Sequence, residues 1–320
     1  MRETDFLEII KKTLSDSSYL GDDCAYLKDI GIFITQDTLV ENIHFNLTTI
    51  SPYYLGRKAV AVNLSDIAAS LSIPKYILIS LSLPENTSDE FITAFYKGVN
   101  DICEEYKVKV VGGDITGSEK IFISVTAIGK KSSNYISSRS FAQEGDVIVA
   151  TGIHGSSSCA LFAFLNDIKI PQNIIETHIN PIPRIKESLI LLEKTDKNIA
   201  VMDSSDGLID ALFKISLESN KSIEIDFDKI KIDSNIINIA KDNNFDYQNW
   251  VLWGGEDYEL VASIPEYVYE KLDKSVFNKI GKVIEKQNDF VVNVKMKDNN
   301  YKITQDTFNQ KSFNHFKRDL

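Results

Sequence analysis

Apolar residues at Phe6, Ile9, Ile10 and Leu14 recur at the spacing of one helix face, so a first helix is expected over 5–14. Gly21-Asp22-Asp23 then reads as a turn, followed by two short strand-like runs over 24–27 and 31–36. A second helix fits 52–71, with Pro52 near its start, where a missing N–H costs nothing. A strand over 76–83, a helix over 88–106 and strands over 107–111 and 121–129 complete a first α/β unit. The pattern lapses into polar residues over 132–145, which marks an expected boundary between a domain at 1–140 and another at 141–320. Beyond it come strands near 147–150, 199–202 and 222–226, and helices near 156–166, 184–193 and 207–218. Strands near 258–264, 278–284 and 290–296 close the chain. Strands and helices alternate irregularly, so the expected fold class is α/β of the mixed α+β kind, not a doubly wound sheet.

Composition narrows the partners more than the fold. With 43% hydrophobic and 25% charged residues the chain reads as globular, and its longest apolar runs break at serines, far short of a membrane span. The start, Met-Arg-Glu-Thr-Asp, leads into an amphipathic segment and not a signal-peptide core, so a cytoplasmic protein is expected. Cys24, Cys103 and Cys159 show no CxxC spacing and suit small buried positions. His44, His154, His178 and His315 are isolated, without HExxH, which speaks against zinc; His154 reads as a solvent-facing loop residue. The net charge of −11 argues against nucleic acid as the main partner. It leaves room for anionic phosphates bridged by divalent cations.

Acidic turns supply those cations with ligands. They are Gly21-Asp22-Asp23, Thr35-Gln36-Asp37-Thr38, Asn63-Leu64-Ser65-Asp66, Gly112-Gly113-Asp114, Asp203-Ser204-Ser205-Asp206-Gly207 and Gly254-Gly255-Glu256-Asp257. Asp37 and Asp114 are expected where apolar strands end, and carboxylates at strand ends can converge on one crevice. Asp66 falls inside the second helix. Magnesium suits such a set, being a hard cation that takes oxygen ligands and shares them with substrate phosphates. Taken singly, Asp-Gly and Gly-Asp dipeptides simply make turns, and the 203–207 segment equally suits the start of a helix. Other phosphate signatures fail: 112–120 lacks the Lys after the second glycine of a P-loop, and 151–156 does not fit GxGxxG.

In their order these segments resemble the thiamine-monophosphate kinase family. The matching runs are Gly21-Asp22-Asp23-Cys24-Ala25, Asp37-Thr38-Leu39-Val40 with His44-Phe45, Ala61-Val62-Asn63-Leu64-Ser65-Asp66, Gly112-Gly113-Asp114, 203–208 and Gly254-Gly255-Glu256-Asp257-Tyr258-Glu259-Leu260. The likeness runs from about residue 20 to Phe313-Asn314-His315-Phe316. It implies the two-domain fold of the superfamily of aminoimidazole ribonucleotide synthetase and selenophosphate synthetase. There the N-terminal domain, here 1–140, carries metal and nucleotide sites and joins its twin in a homodimeric β-barrel; the C-terminal domain, here 141–320, covers the cleft. The implied reaction converts ATP and thiamine monophosphate to ADP and thiamine diphosphate by direct in-line transfer, with several Mg2+ ions and ATP as co-substrate.

The resemblance also implies roles. Asp22, Thr35, Gln36, Asp37, Asp66, Asp114, Asp203 and Asp206 fall on metal positions, Asp66, Asp114 and Asp206 being the expected catalytic carboxylates. Tyr96, Gly113, Asp114, Arg139 and Ser205 fall on nucleotide positions, and a guanidinium such as that of Arg139 suits phosphate oxygens. His44, Glu256 and Phe313 fall on substrate positions, where a carboxylate can face a cationic thiazolium and a ring can stack on the pyrimidine. Gln36 and Ile115 stand where the family commonly has Thr, Ser204 where an aliphatic residue is frequent, and Phe313 where Tyr or Trp is often seen. No carboxylate is lost. The alternatives are another ATP-using enzyme of the superfamily and a non-catalytic magnesium-nucleotide-binding protein. Selenophosphate synthetase needs an early reactive Cys, and the hydrogenase-maturation relative ends Pro-Arg-Ile-Cys, where this chain ends His-Phe-Lys-Arg-Asp-Leu.

Overall fold

The computed structural model describes residues 2–297 and 300–314. His315 and Phe316, part of the C-terminal resemblance, lie outside the described residues. The first half runs α1 (Glu3–Thr13), β1 (Ala25–Leu27), β2 (Ile32–Val40), α2 (Pro52–Ala69), β3 (Ile73–Leu83), α3 (Asp89–Tyr106), β4 (Lys109–Gly117) and β5 (Phe122–Lys130). Its strands form one sheet in the order β1-β2-β5-β3-β4, antiparallel except for the parallel pair β3 and β4. Local chemistry sets the helix ends. The side chain of Ser51 accepts from Tyr54 N–H ahead of α2, and Ser88 does the same for Phe91 ahead of α3. α2 and α3 touch at glycines: a Cβ on Gly56 would meet the Phe95 carbonyl oxygen at 2.1 Å, and one on Gly98 the Tyr53 carbonyl oxygen at 1.9 Å.

The second half runs β6 (Val147–Ala150), α4 (Ser156–Leu165), α5 (Gln172–Ile179), α6 (Ile185–Lys194), β7 (Ala200–Asp203), α7 (Leu208–Glu218) and β8 (Ser222–Asp226). It continues with α8 (Ser234–Asp242), α9 (Tyr247–Trp253), β9 (Leu260–Ile264), α10 (Glu266–Tyr269), β10 (Asn278–Ile284), β11 (Val292–Lys295), β12 (Asn300–Ile303) and α11 (Gln305–Lys311). These strands form a seven-stranded sheet in the order β12-β11-β8-β10-β6-β9-β7, in which β11 and β8 are parallel and the other pairs antiparallel.

The architecture is the mixed α/β kind that the irregular alternation implied. α2 is its pivot. Leu64, Ile67 and Ala68 share one core with Ile77, Ile79 and Val125 of the first sheet and with Val149, Val201 and Leu260 of the second. A helix enclosed this way buries nearly its whole circumference, and it carries Lys58, Asn63 and Ser65 inside with it. The segments 172–179, 234–242, 247–253, 300–303 and 305–311 form elements that the sequence pattern did not announce.

Two expectations need correction. β2 continues through residue 40 and β4 through residue 117, so Asp37 and Asp114 lie inside strands and not at their ends. Polar residues interrupt the apolar pattern there, but pairing with neighbouring strands carries the backbone on. The first sheet does not close on itself within the chain: β1 and β4 are its edges. Every residue of β4 is exposed, Ile115 to 67%. Among the described residues, no helix is long and apolar enough to cross a membrane.

Candidate active site

Three carboxylates from distant parts of the chain meet where the two halves face each other. Asp23 follows the turn before β1, Asp66 sits near the end of α2, and Asp203 ends β7. Each offers an oxygen within 4.8 Å of the others. Hydroxyls hold them in place: Thr35 Oγ1 donates to Asp66 Oδ2 at 2.5 Å, Ser65 Oγ to Asp203 Oδ2 at 2.6 Å, and Ser205 Oγ to Asp203 Oδ1 at 3.0 Å. Asp37 joins from β2, its N–H donating to Asn63 Oδ1 of α2 at 3.0 Å. A cleft of about 300 Å³ opens beside the cluster, lined among others by Asp22, Asp23, Cys24, Ser70 and Ser138.

The electrostatics of this cluster call for a cation. Burial, then the charges of Asp206 and Asp23, raise the Asp37 carboxyl from 3.8 to about 6. Burial and the charge of Asp23 raise Asp203 to about 7 despite its hydroxyl partners. Burial and the charges of Asp37 and Asp203 push Asp66 well above its usual range. Oxygen donors crowded together in this way fit a hard divalent ion such as magnesium. The consequence for stability has a definite sign. Unfolded carboxylates ionise near 3.8, whereas Asp37 and Asp203 keep their protons to about 6 and about 7. Between those values the unfolded chain binds fewer protons, so metal-free stability is expected to fall as pH rises. Magnesium is expected to raise the melting midpoint more at pH 8 than at pH 5, read by thermal denaturation; an equal rise at both would separate this cluster from the metal.

The other residues singled out from the sequence are distributed around this point. Asp22 turns from the cluster, accepting from Arg139 N–H at 2.8 Å and Ser138 Oγ at 3.1 Å, so its neighbour Asp23 is the residue that reaches Asp66. The Arg139 guanidinium donates to Asp23 Oδ1 at 2.6 Å and to the Gly21 carbonyl at 2.9 Å. Asp206 lies 3.4 Å from Lys214 Nζ, which also pairs with Asp210 at 2.7 Å. Gln36 lies on the face of β2 opposite Thr35 and Asp37, as period-two alternation demands, and its oxygen accepts from Thr126 at 2.8 Å. Gly113 and Asp114 stand on the exposed edge strand β4; a Cβ on Gly113 would meet the Ile79 carbonyl oxygen at 1.8 Å. Tyr96 is half-buried on α3, edge-on to Phe95.

The Gly254–Leu260 run divides its acids among three tasks. Glu256, with φ 64°, leaves its side chain 25% exposed, and its N–H donates to the Ser205 carbonyl at 2.7 Å. Asp257 turns inward and accepts from Gly155 and Ser157 N–H at the start of α4, at 2.6 and 3.0 Å. Glu259 pairs with Arg184 and accepts from Thr151 Oγ1 at 2.6 Å. Lys58 Nζ lies 3.2 Å from both Glu256 oxygens, and His178 Nδ1 lies 3.2 Å from Oε2. His44 Nδ1 accepts from Val40 N–H at 3.0 Å. Phe313 follows α11, whose Phe308 stacks on Phe213, and is 59% exposed. His154 corrects an expectation: it is 1% exposed, and burial and the charge of Arg184 lower it to about 4. All three cysteines are free and buried, as their spacing suggested.

Comparison with known proteins gives this geometry a context. Residues 21–130 match the family model for the N-terminal domain of AIR synthase related proteins. The thiamine-monophosphate kinase of Bacillus subtilis is 34% identical, over 99% of this chain and all of the relative. That of Aquifex aeolicus is 33% identical, over 94% of this chain and 97% of the relative. A solved structure described as AaThiL complexed with AMPPCP and TMP superposes with a TM-score of 0.83, at 32% identity, covering 94% of this chain and 96% of that one. The hydrogenase maturation protein HypE shares the fold, with a TM-score of 0.74 at 18% identity over 90% of this chain and 94% of HypE.

Proposed function

This chain belongs to the thiamine-monophosphate kinase family, and on that premise we propose that it transfers the γ-phosphoryl group of ATP to thiamine monophosphate, giving ADP and thiamine diphosphate. The observation that carries the reading is the crowding of Asp23, Asp66 and Asp203, with Glu256 held beside the same 203–206 loop by its N–H bond to the Ser205 carbonyl. Magnesium bound among these acids supplies charge neutralisation to a phosphoryl group in transfer. The protein's own part is to position. Thr35, Ser65 and Ser205 orient the carboxylates through hydroxyl donors, so little rearrangement is needed when the nucleotide arrives. Arg139 pins the Gly21–Asp23 turn, and because a planar guanidinium suits phosphate oxygens we assign it to the nucleotide as well. We assign Tyr96, Gly113 and Ser205 to the nucleotide, and His44, Glu256 and Phe313 to thiamine monophosphate. A carboxylate beside the thiazolium and an aromatic ring beside the pyrimidine supply the recognition. Transfer is direct, from one phosphate oxygen to another, with no phosphorylated side chain between.

The working unit in this proposal is a cytoplasmic homodimer. Each subunit has a metal and nucleotide domain at 1–140 and a covering domain at 141–320. One geometric fact supports the dimer. Asp37 pairs with Val125, Val125 with Ile79, and Ile79 with Gly113. Three strand spacings of about 4.8 Å therefore separate Asp37 from Gly113 by about 14 Å, too far for Asp114 to share an ion with it in one chain. An exposed β4 joined to a second copy closes the barrel and brings in Asp114 of the partner subunit.

Incubating the protein with Mg-ATP and, side by side, thiamine, thiamine monophosphate and other phosphorylated metabolites tests the substrate. Thiamine diphosphate is expected from thiamine monophosphate alone. Its absence after prolonged incubation of folded, dimeric protein would falsify the reading.

A further inference from the structure

Lys58 is a lysine in an unusual place. It lies in the second turn of α2, 1% exposed, among core residues such as Leu55, Ala59 and Val62. An ammonium moved out of water is costly unless it is paired. Its ammonium pairs with both Glu256 carboxylate oxygens, each at 3.2 Å. His178, also buried, approaches Glu256 Oε2 at 3.2 Å, and Ser157 Oγ lies 2.9 Å from the same imidazole nitrogen. Glu256 is thus gripped from α2 and from α5 while its own backbone is held in the left-handed region, φ 64°. For a residue with a side chain, that conformation persists only where the surroundings enforce it.

The aspartate cluster and the Glu256 carboxylate are therefore built on opposite principles. Among the described residues, no lysine forms an ion pair with Asp23, Asp66 or Asp203, and the arginine that does is Arg139, 2.6 Å from Asp23 Oδ1. At Glu256 the protein supplies the cation itself: burial alone would raise the carboxyl, and the charge of Lys58, first among the opposing causes, helps hold it below its usual range. Burial and the Lys58 charge lower His178 to about 4, so that its imidazole is a neutral hydrogen-bonding partner. Lys58 and Asp66 lie on the same helix, eight residues or about 12 Å of rise apart. One rigid helix thus fixes the spacing between the metal-facing and the cation-backed carboxylates.

We propose that Lys58 and His178 are positioning residues that hold the Glu256 carboxylate in a single orientation toward the crevice, and thereby set the affinity for thiamine monophosphate without touching the phosphoryl chemistry. The inference rests on the reading of Glu256 as a substrate-contacting group. Because Lys58 neutralises one face of the carboxylate, recognition of the thiazolium depends on how the free face is aimed and not on bulk negative charge. A merely structural lysine would affect both substrates or neither.

Steady-state kinetics of Lys58→Met, Lys58→Arg, Glu256→Gln and the double variant Lys58→Met/Glu256→Gln separate these cases. Lys58→Met is expected to raise KM for thiamine monophosphate about tenfold or more, the loss of a hydrogen-bonded charge partner, with KM for ATP and kcat changed less than about threefold. Lys58→Arg, which keeps the charge, restores at least half of that loss. The double variant is expected to be no worse than Glu256→Gln alone, since a residue that acts through Glu256 has nothing left to position. Parallel rises in both KM values, or multiplied effects in the double variant, overturn the proposal. If Lys58→Met fails to fold by circular dichroism, His178→Asn carries the same test: a selective rise in KM for thiamine monophosphate supports the grip, and an unchanged KM overturns it. Wild-type protein that makes no thiamine diphosphate overturns the parent reading as well, whereas normal wild-type turnover with unchanged KM in Lys58→Met overturns this one alone.

Discussion

Asp66→Asn is expected to lower kcat by about a thousandfold or more, the scale of losing several kcal/mol of transition-state charge stabilisation, while the protein folds normally. Folding survives because the asparagine oxygen can still accept from Thr35 Oγ1, and because the replaced group is one the fold holds against its preference. Burial and the neighbouring charges of Asp37 and Asp203 push Asp66 well above its usual range. Removing that charge is expected to leave the metal-free melting midpoint unchanged or raised. The rise that magnesium produces in wild type should shrink in the variant. Turnover and two thermal scans, with and without magnesium, make the check. Wild-type activity in Asp66→Asn would remove Asp66 from the metal site.

A second large effect is expected from mixing two inactive proteins. Asp66 and Asp114 belong to one active site in this account, but they reach it from different subunits. Asp66→Asn and Asp114→Asn homodimers should each be inactive. When their subunits exchange, about half of the dimers become mixed and one of the two sites in each is intact, so activity should return to about a quarter of wild type. If Asp114 served its own chain's site, every mixed dimer would carry one defect in each site and nothing would return. The strand register makes the second outcome hard to reconcile with the role of Asp114, since β5 and β3 both stand between it and Asp37.

Much of the fold was legible where pattern and chemistry agree. The helix expected over 88–106 begins after the Ser88 cap and stops where Lys107 turns left-handed, φ 56°. The strands over 147–150, 222–226 and 278–284 are found with those bounds, each a strongly apolar or β-branched run. What escaped notice was short or polar. α8 follows the cap at Asp233, but its Ser234-Asn235 opening reads as a loop, and its stability comes from Ile236 and Ala240 packing beside Trp250. β2 and β4 were cut short because Thr35-Gln36-Asp37-Thr38 and Gly112-Gly113-Asp114 break the apolar alternation. In β2 the polar residues are the site itself, so the same residues that interrupt the strand pattern carry the candidate chemistry.

The candidate site was legible as a set of acids and not as a geometry. Gly21-Asp22-Asp23 offers two neighbouring carboxylates, and only the turn, pinned by Arg139, decides that Asp23 faces Asp66 while Asp22 faces Ser138. In Glu256-Asp257-Tyr258-Glu259 the alternating left-handed backbone at Glu256 and Tyr258 sends Glu256 toward Lys58 and His178 and Asp257 to the start of α4. Lys58 carried no signal at all. It lies in a helix whose apolar character pointed to core, and its partner is 198 residues away.

The central claim is that these carboxylates serve magnesium-dependent transfer from ATP to thiamine monophosphate, and one assay addresses it directly. Full-length protein is incubated with ATP and thiamine monophosphate, with magnesium and again with excess chelator, and thiamine diphosphate and ADP are quantified together. The account predicts the two products in equal amounts with magnesium and neither with chelator. Thiamine diphosphate formed at the same rate in chelator, or ADP released with no thiamine diphosphate, would contradict it.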